Sequence, residues 1–178
     1  MLAALERLGA ETLSTDQVVH DLYETDEVRD AVVERFGESV APGGSVDRSA
    51  VARAAFTRPE DRAWLEELLW PLVGRRMAEW REGLDHRVES PRAAVVEVPL
   101  LFESGMEGAF DATIAVIADE ELRAERAGAR GHEALAERGS RQLAQQEKAQ
   151  RATYVVVNDG SIGELDAKLS EILEMLER

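Results

Sequence analysis

No cysteine occurs in the 178 residues, which excludes disulfides and thiolate metal sites and agrees with a cytoplasmic setting. Three scattered histidines give no metal-ligand spacing. No apolar run approaches the ~20 residues of a membrane-spanning helix. Met1 to Leu8 is too short and too charged for a secretory signal. Lysine is nearly absent as well. Lys148 stands in "QEKAQ" and Lys168 in "DAKLS", neither preceded by glycines nor followed by Ser or Thr. A glycine-rich phosphate loop of the form G-x-x-x-x-G-K-[ST] is therefore missing from this sequence.

What is present is acidic and globular. The apolar fraction of 44% supports a real core, while the net charge of −15 argues against general nucleic-acid binding. The exception is local: between Arg123 and Arg151, seven basic residues face four acidic ones. That window is either a helical surface of mixed charge or a patch for a polyanion of limited size, such as a nucleoside phosphate.

Apolar runs rich in β-branched residues alternate with helical patterns. "AAVVEVP" (93–99), "ATIAVIA" (112–118) and "TYVVVN" (153–158) are expected to be strands buried on both faces, with Thr12-Leu13 a weak fourth. Helices are expected over Asp16–Glu24, Glu120–Ala129 and Ile162–Leu176. In the last, Ile162, Leu165, Leu169, Ile172, Leu173 and Leu176 form one apolar stripe. The alternation predicts an α/β fold with a parallel sheet, interrupted by a helical insertion. The expected division is a core of 1–25 and 93–178, with a lid near 122–148, and an insertion of 26–92. In such sheets ligands sit at the carboxyl ends of strands. The groups there are Asp16, the run Pro99-Leu100-Leu101-Phe102-Glu103, Asp119 with Glu120, and Asn158-Asp159-Gly160. Asp16 also suits helix capping, and "NDGS" suits a plain turn.

Five stretches, in order, carry a resemblance: "LGAETLSTDQVVHDLY", "ERFGESV" with "GGSVDRSAVARAAF", "LEELLWPLV", "VEVPLLFESG" and "RGSRQLAQQEKAQRATYVVVNDGS". Together they resemble the dephospho-coenzyme A kinase family, with "PLLFE" the most specific match. The resemblance implies a P-loop kinase fold of the nucleoside monophosphate kinase type, a three-layer parallel sheet with helical insertion and lid. It implies transfer of phosphate from ATP, with Mg²⁺, to the ribose 3′-hydroxyl of dephospho-coenzyme A, the last step of coenzyme A biosynthesis, with insertion 26–92 holding the acceptor. No nucleic acid or membrane partner is implied.

The family's motifs carry roles onto particular positions. Asp16 corresponds to the general base that takes the 3′-hydroxyl proton. His20, one turn later, faces the acceptor, as do Pro99, Leu100, Leu101, Phe102 and Glu103; simple strand-end packing remains open for Leu100 and Leu101. Arg126, Arg130 and Arg138 match lid and phosphate-clamping positions, where a guanidinium fork suits phosphate. Asn158 and Gly160 would lie near the adenine.

Three departures qualify the match. Ser14 stands where the first acid of an Asp-Ala-Asp is expected, and Trp70 where His precedes Pro71. The family's opening strand and phosphate loop, which supplies a Mg²⁺ ligand, have no counterpart here, and Met1 falls a few residues past the loop's Lys-Ser/Thr. The 178 residues alone are thus expected to have negligible kinase activity, as in a chain whose start is placed too late. Two other readings stay open: a non-catalytic nucleotide- or coenzyme A-binding relic, and another small-molecule P-loop kinase.

Overall fold

The computed structural model describes residues 1–128 and 143–177. Helix α1 (Leu2–Arg7) buries Ala4 and Leu5. Gly9 follows at φ 90°, a left-handed conformation that glycine adopts without strain, and the chain turns into strand β1 (Glu11–Ser14). Helix α2 (Thr15–Leu22) starts at once, with Ser14 as its extended N-cap residue. Thr25 caps helix α3 (Asp26–Phe36), its Oγ1 accepting the Val28 N–H at 3.4 Å. Two 3₁₀ turns, Glu38–Val40 and Pro42–Gly44, lead to α4 (Arg48–Thr57). Helix α5 (Pro59–Asp85) begins on a proline, where the missing N–H costs nothing, and runs on through Pro71. Leu69 and Leu72, buried on either side of Pro71, hold the helix there despite the lost backbone hydrogen bond. Residues 26–88, where the sequence predicts no strand, thus form three helices and short turns.

The remaining described elements are β2 (Ala94–Glu97), β3 (Ile114–Ile117), α6 (Glu120–Gly128), α7 (Gln145–Arg151), β4 (Tyr154–Val157) and α8 (Ile162–Leu176). Strand β1 pairs with β2, and β3 with β4. The β3–β4 pair is parallel, in register from Ile114 opposite Tyr154 to Ile117 opposite Val157. Beyond its lower end, Thr113 and Thr153 exchange bonds from each backbone N–H to the other's hydroxyl, at 3.1 and 3.0 Å.

The chain divides into two compact units, Leu13–Glu97 and Met1–Thr12 with Val98–Arg178. The first is helical. Its core gathers Val18, Leu22, Val28, Val32, Val51 and Leu72, flanked by Phe36 meeting Trp64 edge-to-face at 5.5 Å. The buried Asp61 joins α5 to α3, accepting from Arg35 at 2.9 and 2.7 Å and from Arg58 at 2.7 Å. In the second unit α8 packs on α1 and β4, burying Leu165, Leu169, Ile172 and Leu173, and Arg7 pairs with Asp166 at 2.8 Å.

The apolar stripe of α8 leaves its ends in solvent, with Ile162 71% exposed and Leu176 exposed too. One expectation needs correction: the strands are not buried on both faces, since Val116, Val155 and Val157 stand exposed among the described residues. A strand of four residues with one neighbour covers only part of its surface, and a run of β-branched residues cannot tell which part.

Candidate functional site

Within the unit Leu13–Glu97, candidate residues collect where β1 runs into α2. Ser14 does not cap the helix with its side chain; its hydroxyl donates instead to Glu97 Oε2 at 3.0 Å. Next to it the buried Thr15 hydroxyl donates to the Glu97 carbonyl at 3.0 Å. The ends of β1 and β2 are thereby tied at both side-chain and backbone level. Asp16 follows in the first turn of α2, exposed, at the end where the helix dipole favours a negative charge. Glu97 escaped the reading of the sequence, although a carboxylate ending the apolar run "AAVVE" was its signal.

His20 lies one turn further along α2. Its Nε2 is 3.8 Å from Glu24 Oε1, while its Nδ1 is buried without a hydrogen-bond partner. It borders a cavity of about 260 Å³ together with Tyr23, Arg29, Ser45 and Arg48. Burial pushes the Tyr23 hydroxyl up to about 12, against the opposing charge of Arg48, so it stays protonated and able to donate. Trp70, at the position expected for His, is 60% exposed on α5.

In the other unit, Pro99-Leu100-Leu101-Phe102-Glu103 forms a turn after β2 that closes with Ser104 N–H to Leu100 O at 3.0 Å and Met106 N–H to Leu101 O at 3.1 Å. Pro99, Leu100 and Leu101 are half-buried. Phe102 is buried beneath the Arg151 guanidinium, 5.3 Å from the ring centre, and Arg151 also pairs with Glu107. Glu103 Oε1 accepts from Lys148 Nζ at 2.9 Å and from the Leu143 N–H at 2.8 Å. Burial alone would push this carboxyl up, but those hydrogen bonds outweigh it and hold it below the usual carboxylate range.

The tips of β3 and β4 form the third cluster. The Asn158 N–H extends the ladder to Ile117 O at 2.8 Å, and Asp159 Oδ1 accepts the Asp119 N–H at 2.7 Å. The Gln145 amide accepts from Ala118 N–H at 2.9 Å and donates to Ala118 O at 3.0 Å, as a neighbouring strand would. A cavity of about 440 Å³ opens here, lined by Ala118, Asp119, Gln146, Gln150, Val157 and Asp159 among others. Asn158 is half-buried beside it and Gly160 is exposed. Gly160 leaves room for Glu164, whose side chain caps α8 in a reciprocal pair with Ser161; a Cβ at 160 would collide with that carboxylate. Arg126 lies in α6, whereas Arg130 and Arg138 fall outside the described residues.

The family profile described as "Dephospho-CoA kinase" matches residues 1–164. The chain belongs to the dephospho-CoA kinase family. A dephospho-CoA kinase of Protochlamydia amoebophila is 35% identical over 177 residues, covering 97% of this chain and 87% of the relative. One from Deinococcus radiodurans is 36% identical, covering 97% and 84%. Among solved structures, TT1252 from Thermus thermophilus matches with a TM-score of 0.80 and 33% identity over 98% of this chain and 88% of its own. A dephospho-CoA kinase from Campylobacter jejuni, 20% identical, shares the fold at a TM-score of 0.67 over 98% of this chain and 90% of its own. The α/β architecture with parallel strands is thus the P-loop kinase fold of dephospho-CoA kinases. Among the described residues of this family member, no helix is long and apolar enough to cross a membrane.

Proposed function

We propose that this chain serves ATP-dependent phosphorylation of the ribose 3′-hydroxyl of dephospho-coenzyme A, the closing step of coenzyme A synthesis, in the cytoplasm. The observation that carries the reading is the dephospho-CoA kinase profile match over residues 1–164, with relatives of the same name over 97% of the chain. In the reaction the 3′-oxygen attacks the γ-phosphorus of ATP, the bond from phosphorus to the bridging oxygen breaks, ADP leaves, and the hydroxyl proton passes to a base. Asp16 is that base. Its exposed carboxylate stands in the first turn of α2, at the helix end where the dipole favours a negative charge. Much of the rate in phosphoryl transfer comes from orientation and charge stabilisation, so the firmness of the strand ends behind Asp16 matters as much as its basicity.

The helical segment 26–92 and His20 are assigned to the acceptor, with Pro99, Leu100 and Leu101 as apolar contacts and Phe102 and Glu103 anchoring their turn. The cavity at Asn158 and Gly160 is assigned to the adenine of ATP, and Arg126, Arg130 and Arg138 to its phosphates. Mg²⁺ would arrive with the nucleotide. Among the described residues no group of three His, Asp or Glu side chains gathers to hold a metal. The lack of a G-x-x-x-x-G-K-[ST] loop in these 178 residues favours a second reading for the chain taken alone, a binder of acceptor without transfer.

Calorimetric titration of the chain with dephospho-coenzyme A, AMP and CMP tests the acceptor assignment common to both readings. Saturable binding of dephospho-coenzyme A, at least tenfold tighter than either monophosphate, is expected. Preference for a monophosphate would move the chain to a different small-molecule kinase class.

A further inference from the structure

The sequence "APGGSVDR" forms the tight turn before α4, with Gly43 at φ 71° and Gly44 at φ 87°, conformations that side chains rarely adopt. Asp47 closes the turn by capping α4, its Oδ1 accepting the N–H groups of Ser49 at 2.9 Å and Ala50 at 3.1 Å. The result places Ser45 and Arg48 around the 260 Å³ cavity that His20 and Tyr23 border from α2. All of these residues belong to one compact unit.

The charges around this cavity are not equivalent. Arg29 is already spent on Asp26 and Asp30, at 2.6 and 2.8 Å. Glu24, the one acid on the lining, lies beside His20. Arg48 is exposed and makes no ion pair with a described residue; its charge acts on Tyr23. The cavity lining therefore combines the Arg48 guanidinium, without an ion pair to a described residue, with Tyr23, Ser45 and His20, side chains whose hydroxyl and imidazole groups are of a kind that suits phosphate oxygens. Its position along α2 adds a distance argument. Asp16 and His20 are four residues apart, a rise of about 6 Å. That is the span a ribose bridges between its 3′-hydroxyl and its 5′-phosphate.

We propose that this cavity is the subsite for the diphosphate of the acceptor, with Arg48 as its charged anchor and Tyr23, Ser45 and His20 as hydrogen-bond partners, so that the ribose 3′-hydroxyl falls at Asp16. The assignment rests on the acceptor being dephospho-coenzyme A; the anion site itself does not.

The test titrates the 178-residue chain with dephospho-coenzyme A by calorimetry and with inorganic diphosphate by amide chemical shifts. It compares Arg48→Gln, Arg48→Lys and a control, Arg75→Gln, on the exposed surface of α5. Circular dichroism melts confirm that each variant folds. Arg48→Gln is expected to weaken both ligands at least tenfold, Arg48→Lys to recover most of the loss, and Arg75→Gln to match the parent within twofold. Diphosphate should shift the amides of Gly44, Ser45 and Arg48. Arg48-dependent diphosphate binding with no dephospho-coenzyme A binding supports the anion site and counts against the acceptor reading. Unchanged binding of both ligands in Arg48→Gln, or no diphosphate binding by the folded parent, overturns the proposal.

Discussion

Replacing Glu103 tests whether the "PLLFE" turn works as a clamp on α7. Its carboxylate is 12% exposed and the paired Lys148 side chain 21%, so the pair sits between surface and core. Exposed ion pairs contribute ~0–1 kcal/mol, and breaking a fully buried one costs about 3–5 kcal/mol. The Leu143 hydrogen bond adds about 1 kcal/mol. Glu103→Ala removes both interactions and is expected to cost about 2–3 kcal/mol of local stability. Glu103→Gln keeps an oxygen for the Leu143 N–H and should cost about 1–2 kcal/mol. Native-state hydrogen exchange reads the effect directly, because opening of the 143–148 segment exposes the Leu143 amide. A loss of 2 kcal/mol corresponds to an exchange rate about 30-fold faster. Parent-like exchange at Leu143 in Glu103→Ala would refute the clamp and leave that carboxylate free for direct contact with substrate.

Two further outcomes follow from the same structure. Glu103 is held below its ordinary value of 4.5, so the unfolded chain takes up this proton at a higher pH than the folded one. Its contribution is complete above that value and fades as pH falls through the lower folded value; acid unfolding curves of the parent should show that limb, and Glu103→Gln should flatten it. Leu169 is fully buried where α8 meets the rest of its unit, so Leu169→Ala should cost about 2–5 kcal/mol in urea denaturation, and less than ~1 kcal/mol would contradict that packing.

Much of the frame was legible because it rests on local pattern. The runs at 112–118 and 153–158 contain β3 and β4, and the stripe from Ile162 to Leu176 is α8 to the residue. Strand β1 left only a faint trace, since four half-buried residues with a single clear apolar side chain exist as a strand through pairing with β2. What escaped depends on partners distant in sequence. Ser14 reads as an acid lost from a motif, yet the fold brings the Glu97 carboxylate to its hydroxyl across 83 residues. Glu103 reads as a ligand contact, and no spacing rule announces that Lys148 and Leu143 already occupy it. Exposure of Val155 and Val157 was equally out of reach, because composition describes a strand's preference for burial and not the number of neighbours it finds.

The most direct test of the central assignment is phosphoryl transfer itself, measured as coenzyme A formed from ATP and dephospho-coenzyme A. The chain is assayed alone and joined at its N terminus to the strand and glycine-rich loop of a dephospho-CoA kinase relative. Negligible turnover by the chain alone, turnover by the joined chain, and a loss of about 10²–10⁴-fold on Asp16→Asn are expected. A joined chain that binds both substrates but transfers nothing, or one in which Asp16→Asn keeps the parent rate, contradicts the assignment of Asp16 as the base.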